Sequence, residues 1–98
     1  MANLIITYWR DIPSQISVKI GRKEEKRMLS ERFQEAIDMA AMRDGASETD
    51  AYLAEWRRAA PVTVGDDLVA EAETARNNLE TAYDKERLKA LIAKGGRA

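Results

Sequence analysis

Residues 4–21, LIITYWRDIPSQISVKIG, constrain this chain more than any other stretch. Leu4, Ile5, Ile6, Thr7, Tyr8 and Trp9 are β-branched or aromatic apart from Leu4, and apolar groups fall on both alternating faces. Such residues lose side-chain freedom in a helix and suit a strand that is central in a sheet or covered on both sides. From Ile16 the pattern becomes a clean alternation. Ile16, Val18 and Ile20 point one way and Gln15, Ser17 and Lys19 the other, which is a half-buried strand with one wet face. Asp11, Ile12, Pro13 and Ser14 between them are turn chemistry, with Pro13 presetting φ and Asp11 able to bond the backbone ahead. An antiparallel hairpin is predicted.

Gly21, Arg22, Lys23, Glu24 and Glu25 read as a second turn, and Lys26, Arg27, Met28 and Leu29 as a short third strand whose charges suit an exposed edge. Ser30 is a good N-cap, with Glu31 favourably placed against the helix dipole. Phe33, Ala36, Ile37, Ala40 and Ala41 then follow the i, i+3, i+4, i+7, i+8 template, and Gly45 ends that helix in a left-handed cap. A second helix is expected from Ser47, with Ser47 and Asp50 spaced as a capping box. Tyr52, Leu53, Trp56, Ala59 and Ala60 form its apolar side, and Pro61 stops it. Pro61, Val62, Thr63, Val64 and Gly65 make either a brief strand or an extended crossing.

Residues 66–94 carry one long helical pattern, with Leu68, Ala72, Ala75, Leu79, Ala82 and Tyr83 on one side. Then the phase slips. At about 100° per residue, Leu88, Leu91 and Ile92 fall nearly opposite Leu79. Either the helix breaks near residues 84–86, or the second stripe faces another chain. Residues 95–98, GGRA, are expected to fray.

The fold class is therefore α+β, as one domain over residues 1–98. A hairpin region at 1–29, with a possible third strand, packs against two short helices at 30–60 and one long C-terminal helix at 66–94. Ninety-eight residues hold one core and not two. With 45% hydrophobic and 34% charged residues, the chain is globular rather than disordered. It contains neither Cys nor His, which removes disulfides, thiolate chemistry, the commonest general base and the commonest neutral metal ligand. No metal and no cofactor is expected. A net charge of −1 argues against a dedicated binder of nucleic acid or anionic membrane. The first residues lack a basic region, and no run approaches the ~20 apolar residues that span a bilayer. A cytoplasmic location is expected.

Trp9, Arg10 and Asp11, with Gln15 beside them, are the most functional-looking cluster. A Trp and an Arg at a tight turn can clamp a partner surface. The competing reading has Trp9 covering the core edge while Arg10 and Asp11 pair locally. The slipped stripe Leu88, Leu91 and Ile92 is the best hint of an intermolecular contact, through a helix laid in a groove or a self-pairing seam. Arg22, Lys23, Lys26 and Arg27 form a basic run able to contact phosphate, but Glu24 and Glu25 interrupt it. Asp66 and Asp67 favour a helix start, and Asp44, Glu48 and Asp50 lack the spacing of a calcium loop. Gly21, Gly45 and Gly65 are isolated turn glycines. No serine has a histidine to activate it, so no catalytic residue is assigned. Trp56, with Arg57 and Arg58 behind it, is expected to face the core.

The run Ile6, Thr7, Tyr8, Trp9, Arg10, Asp11, Ile12, Pro13, Ser14, Gln15 resembles the opening of a small bacterial family known only as "virulence factor". So do Glu31 to Met42 (ERFQEAIDMAAM), Asp50 to Trp56 (DAYLAEW), Tyr83 with Asp84, and Glu86, Arg87, Leu88. The resemblance covers about the whole chain. It implies a module that is also attached to helical-repeat sequence in the larger virulence factor C. Stand-alone members of this type resemble alphaproteobacterial proteins, in gene neighbourhoods for folate- and corrinoid-dependent methyl transfer. It carries over no catalytic residue, and attachment to a repeat scaffold implies docking rather than catalysis. The expected function is a non-enzymatic protein-interaction module, an accessory or regulatory subunit of a bacterial complex, with an unidentified protein partner or self-association. The alternatives are an accessory component or small acid- or lysine-dependent enzyme of methyl transfer, and a weak nucleic-acid binder through Arg22, Lys23, Lys26 and Arg27.

Overall fold

In the computed structural model, which describes residues 1–46 and 48–98, β1 (Ala2–Trp9) lies at the centre of a five-stranded antiparallel sheet. β2 (Ile12–Ile20) pairs with one edge of β1 and β3 (Lys23–Met28) pairs with β2. The other edge of β1 is shared between β4 (Trp56–Arg58), opposite Thr7 to Trp9, and β5 (Val62–Val64), opposite Ala2 to Leu4. The helices are α1 (Glu31–Arg43), α2 (Thr49–Ala54), α3 (Leu68–Ala82) and α4 (Lys85–Ala93). This is the expected α+β fold, with the N-terminal hairpin packed against helices.

Strand alternation sends Leu4, Ile6, Ile16, Val18 and Ile20 to one face, where Leu68, Ala72, Ala75 and Leu79 of α3 cover them. A second cluster lies at the far end of the hairpin. Trp9 and Ile12 meet Phe33, Ala36, Ile37, Ala40 and Ala41 of α1 and Leu88 and Leu91 of α4. Leu79 touches both clusters and joins them into one core. Full burial of side chains such as Phe33, Ile37 and Ile16 stabilises by about 1.5–3 kcal/mol each. The opposite sheet face is polar apart from Ile5: Asn3 faces Lys19, Thr7 faces Gln15, and Ser17 lies between Ile5 and Lys26.

Several boundaries differ from the sequence expectation, each for a physical reason. Trp9 pairs directly with Ile12, so the hairpin loop is only Arg10 and Asp11. Pro13 lies inside β2, opposite Tyr8, where the register shifts. An irregular ladder tolerates a residue with no N–H to give. The third strand is longer than expected, from Lys23, because Glu24 and Glu25 also complete the ladder with β2. The second helix stops at Ala54. Trp56, Arg57 and Arg58 are drawn instead into pairing with β1, whose backbone groups there would otherwise lack partners. Ser47, expected to cap that helix, lies outside the described residues, and Glu48 occupies the N-cap position. The short valine run is a strand.

The C-terminal pattern is two helices. α3 ends at Ala82, and Asp84 starts α4 by accepting a bond from the Arg87 N–H at 2.9 Å. The break rotates the second stripe back to the core, so Leu88 and Leu91 are covered within the chain. Residues 95–98 do not behave as a frayed end. Gly95 and Gly96 are buried, and the Gly96 carbonyl accepts from the Asp11 N–H at 2.8 Å.

Candidate functional site

The loop of the first hairpin is the most heavily bonded point in the fold. Arg10 opens a two-residue connection and takes a positive φ of 53°, a region that costs a non-glycine residue about 1–2 kcal/mol. Its side chain points inward. Nη1 donates to Asp44 Oδ2 at 2.5 Å and to the Gly95 carbonyl at 2.6 Å, Nη2 lies 3.5 Å from Glu55, and the guanidinium stacks on Trp9. Two helix ends meet this cation. α1 and α4 both finish in a glycine cap with the same bonding pattern, Gly45 to Met42 and Ala46 to Ala41 in one, Gly95 to Ile92 and Gly96 to Leu91 in the other. Asp44 and Gly95 thus bring the negative ends of two helix dipoles to one guanidinium.

Trp9 is fully buried, and its indole N–H donates to the Tyr52 carbonyl at 2.9 Å while its ring stacks on Tyr52. Trp9 and Arg10 are therefore interior groups and are not available as a contact patch. Leu88 and Leu91 are likewise mostly covered within the chain, each reaching the surface only at the floor of a hollow. Asp11 is half exposed and tied down, accepting from Arg57 at 3.2 Å and from the Ala98 N–H at 2.6 Å. Gln15 lies on the polar sheet face beside Ser17, away from the loop, and Ile92 lies at the surface edge of α4. The seven candidate contact residues do not form one surface, because a two-residue turn with an inward arginine places its neighbours in the core.

The basic run sits on and beside β3. Arg27 bridges Glu25 and Glu73, each at 2.6 Å, and Lys26 lies 3.9 Å from Glu24. The bond from Arg27 holds the Glu73 carboxyl below its ordinary range, and Glu73 in turn raises the Arg27 guanidinium. The Ser17 hydroxyl, at 2.5 Å, does the same for Glu24. Only Arg22 and Lys23 of the run have no acidic partner among the described residues. Asp67 caps α3 and Asp66 faces the terminal amine of Met1. Among the described residues, no three acids group as metal ligands. No helix of the described residues is long and apolar enough to cross a membrane.

Two of the concave features adjoin α4. A groove of about 240 Å³ runs between α1 and α4. Arg32, Glu35, Ala36 and Met39 line one wall, and Lys85, Leu88, Lys89 and Ile92 line the other. Each wall is an i, i+3, i+4, i+7 row, the spacing that puts side chains on a single helix face. A second hollow, of about 280 Å³, lies at the edge between β1, β4 and the α3–α4 junction. Tyr8, Asp11, Arg57, Tyr83 and Arg87 line it, over Ala59 and Leu91.

The sequence profile of the family described as "Virulence factor" matches residues 7–92. The chain belongs to the virulence factor family. No curated protein and no solved structure matches it. The virulence factor match takes in the Arg10 loop, both walls of the groove and, of the residues that line the hollow, all but Ala98. Sequence reasoning missed Tyr8, Arg57, Tyr83, Arg87 and Met39. Met39 and Met42 stand off the apolar stripe of α1, at 55% and 72% exposed, and that displacement was a legible signal. The Tyr8–Arg57 pairing was not, because it depends on a strand that looks helical in sequence.

Proposed function

We propose that this member of the virulence factor family is a non-enzymatic protein-interaction module, which receives an amphipathic helix of a partner protein in the groove between α1 and α4. The groove itself carries this reading. Its floor is apolar (Ala36, Leu88, Ile92), and Met39 projects from its rim. Methionine is unbranched and polarisable and adapts to an incoming side chain, which is why such surfaces accept helices. Arg32, held by Glu80 at 3.0 Å, and Glu35 flank the groove on one side, and Lys85 and Lys89, the latter 3.9 Å from Glu86, on the other. Lys85, with no acidic partner among the described residues, favours a helix with an acidic residue beside its apolar stripe. Both walls span eight residues, about 10 Å at 1.5 Å rise, so two to three turns of the partner fit.

The test is affinity capture from host lysate with three baits: the native protein, Met39→Glu and, as a control on the polar sheet face, Lys19→Glu. Met39 and Lys19 are both exposed, so both variants should fold. A stoichiometric partner held by the native and Lys19→Glu baits and lost from Met39→Glu is expected, with crosslinks from its helix to α1 and α4. Equal retention by Met39→Glu overturns the reading.

A further inference from the structure

We propose that the hollow bounded by Tyr8, Arg57, Tyr83 and Arg87 is a binding site for a phosphate group, carried by a small molecule. Each arginine lies over a tyrosine ring, Arg57 over Tyr8 at 4.5 Å and Arg87 over Tyr83 at 3.9 Å. Stacking fixes the planes of both guanidinium groups and leaves their N–H edges free for an acceptor. Those edges are incompletely used. Arg57 donates through Nε to the Arg10 carbonyl at 3.0 Å and through Nη2 to Asp11, which leaves Nη1. Arg87 donates through Nη1 to the Ala82 carbonyl at 3.1 Å and meets no carboxylate among the described residues. Neither tyrosine hydroxyl of this hollow has a protein partner among the described residues.

The chemistry of these groups selects the ligand. Arginine offers only donors, and burial, the largest cause, pushes the Tyr8 phenol above its ordinary value, so at neutral pH its hydroxyl is protonated and can donate. Tyr8 also lies within electrostatic reach of Tyr83, Arg57 and Arg87, so the four groups act on one small volume. Asp11, the one acidic side chain of the lining, has both oxygens engaged, one by Arg57 and one by the N–H of Ala98, which also borders the hollow. A cationic ligand would find the aromatic faces already occupied by arginine. An oxyanion would instead meet two guanidinium edges and two hydroxyls, and phosphate has the acceptor oxygens to use them all. The volume falls just under the ~300–1,000 Å³ of drug-sized sites, which suits a compact phosphorylated molecule. This site is separate from the helix groove: on α4, Leu88 and Ile92 face the groove while Arg87 and Leu91 face the hollow.

The probe is inorganic phosphate, titrated into ¹⁵N-labelled protein with the arginine side-chain Nε–H signals followed by NMR. Saturable shifts of the Arg57 and Arg87 signals are expected. Arg87→Gln should weaken binding at least about tenfold, which is ~1.4 kcal/mol. Arg87→Lys should fail to restore it, since a lysine cannot present the stacked fork. Because Arg87 is exposed, an unchanged backbone spectrum will confirm that each variant is folded. Acetate at equal concentration should bind more weakly. Three outcomes overturn the site as a phosphate site: no saturation by about 10 mM phosphate, unchanged affinity in Arg87→Gln, or acetate binding as tightly as phosphate.

Discussion

At the scale of single residues, Arg10 is where the fold concentrates its polar bonding. Its side chain is 6% exposed, its Nε has no partner among the described residues, and its backbone occupies a disfavoured region. All three are costs, and they persist because one guanidinium links Asp44, Glu55 and Gly95 from three separate segments. Removing one partner of a buried ion pair costs about 3–5 kcal/mol. Asp44 is 49% exposed and screened by water, so Arg10→Ala should lose less, about 2 kcal/mol in urea unfolding, with an unchanged m value. Arg10→Lys should recover little, because an ammonium cannot reach carboxylate and carbonyl in the same plane. A variant as stable as the native protein would remove Arg10 from this role. The chemistry of Trp9, Arg10 and Asp11 was legible in sequence as unusual. Its direction was not: whether an arginine at a turn points in or out depends on which helix ends lie beneath it, and those come from residues 44 and 95.

At the scale of elements, local pattern and long-range pairing were unequally readable. The stripe of α1 and the alternation of β2 were plain because each depends only on neighbours in sequence. β4 was hidden. Trp56, Arg57 and Arg58 continue a helical pattern, and only the unpaired edge of β1 makes them a strand. Arg27 with Glu73 is one such long-range pair between β3 and α3, beside the bond from Arg76 to the Met28 carbonyl at 3.2 Å. Glu73 and Glu24 have pKa values held below 4.5 in the folded protein, so above that value both states are ionised and the stabilisation is fully present. As the pH falls below 4.5 the unfolded chain takes up protons first, and stability is lost through the lowered folded pKa values. The thermal midpoint should therefore hold steady down to about pH 5 and then drop towards pH 3. In Arg27→Gln the drop should be shallower, because Glu73 then titrates nearer its ordinary value. Parallel acid profiles for the two proteins would dissociate Glu73 from acid sensitivity.

At the scale of the whole molecule, the last residues close the structure. The Gly95 carbonyl accepts from Arg10 and the Gly96 carbonyl from Asp11. A Cβ on Gly96, whose φ is 88°, would stand 3.0 Å from the Trp9 ring. A glycine-rich end reads as a flexible tail, yet here glycine is what lets the chain lie flat against an indole. Deleting residues 95–98 removes three hydrogen bonds to the hairpin loop, two at the Gly95 and Gly96 carbonyls and one from the Ala98 N–H to Asp11, worth about 1 kcal/mol each, and uncovers Trp9. A loss of at least ~2 kcal/mol is expected, together with a red shift of tryptophan emission. An unshifted spectrum and unchanged midpoint would show that the end contributes nothing.

The sheet itself has an uneven perimeter. β1 is paired along both edges, and the short strands β4 and β5 border it on one side. The long free margin belongs to β3, whose six residues, KEEKRM, include five charged side chains. A second copy of the chain approaching that margin in extended form would have to strip water from a row of charged side chains. The most hydrophobic strand is thus enclosed and the most hydrophilic one faces outward, so the sheet does not offer an apolar edge for amyloid-like stacking when the protein is concentrated.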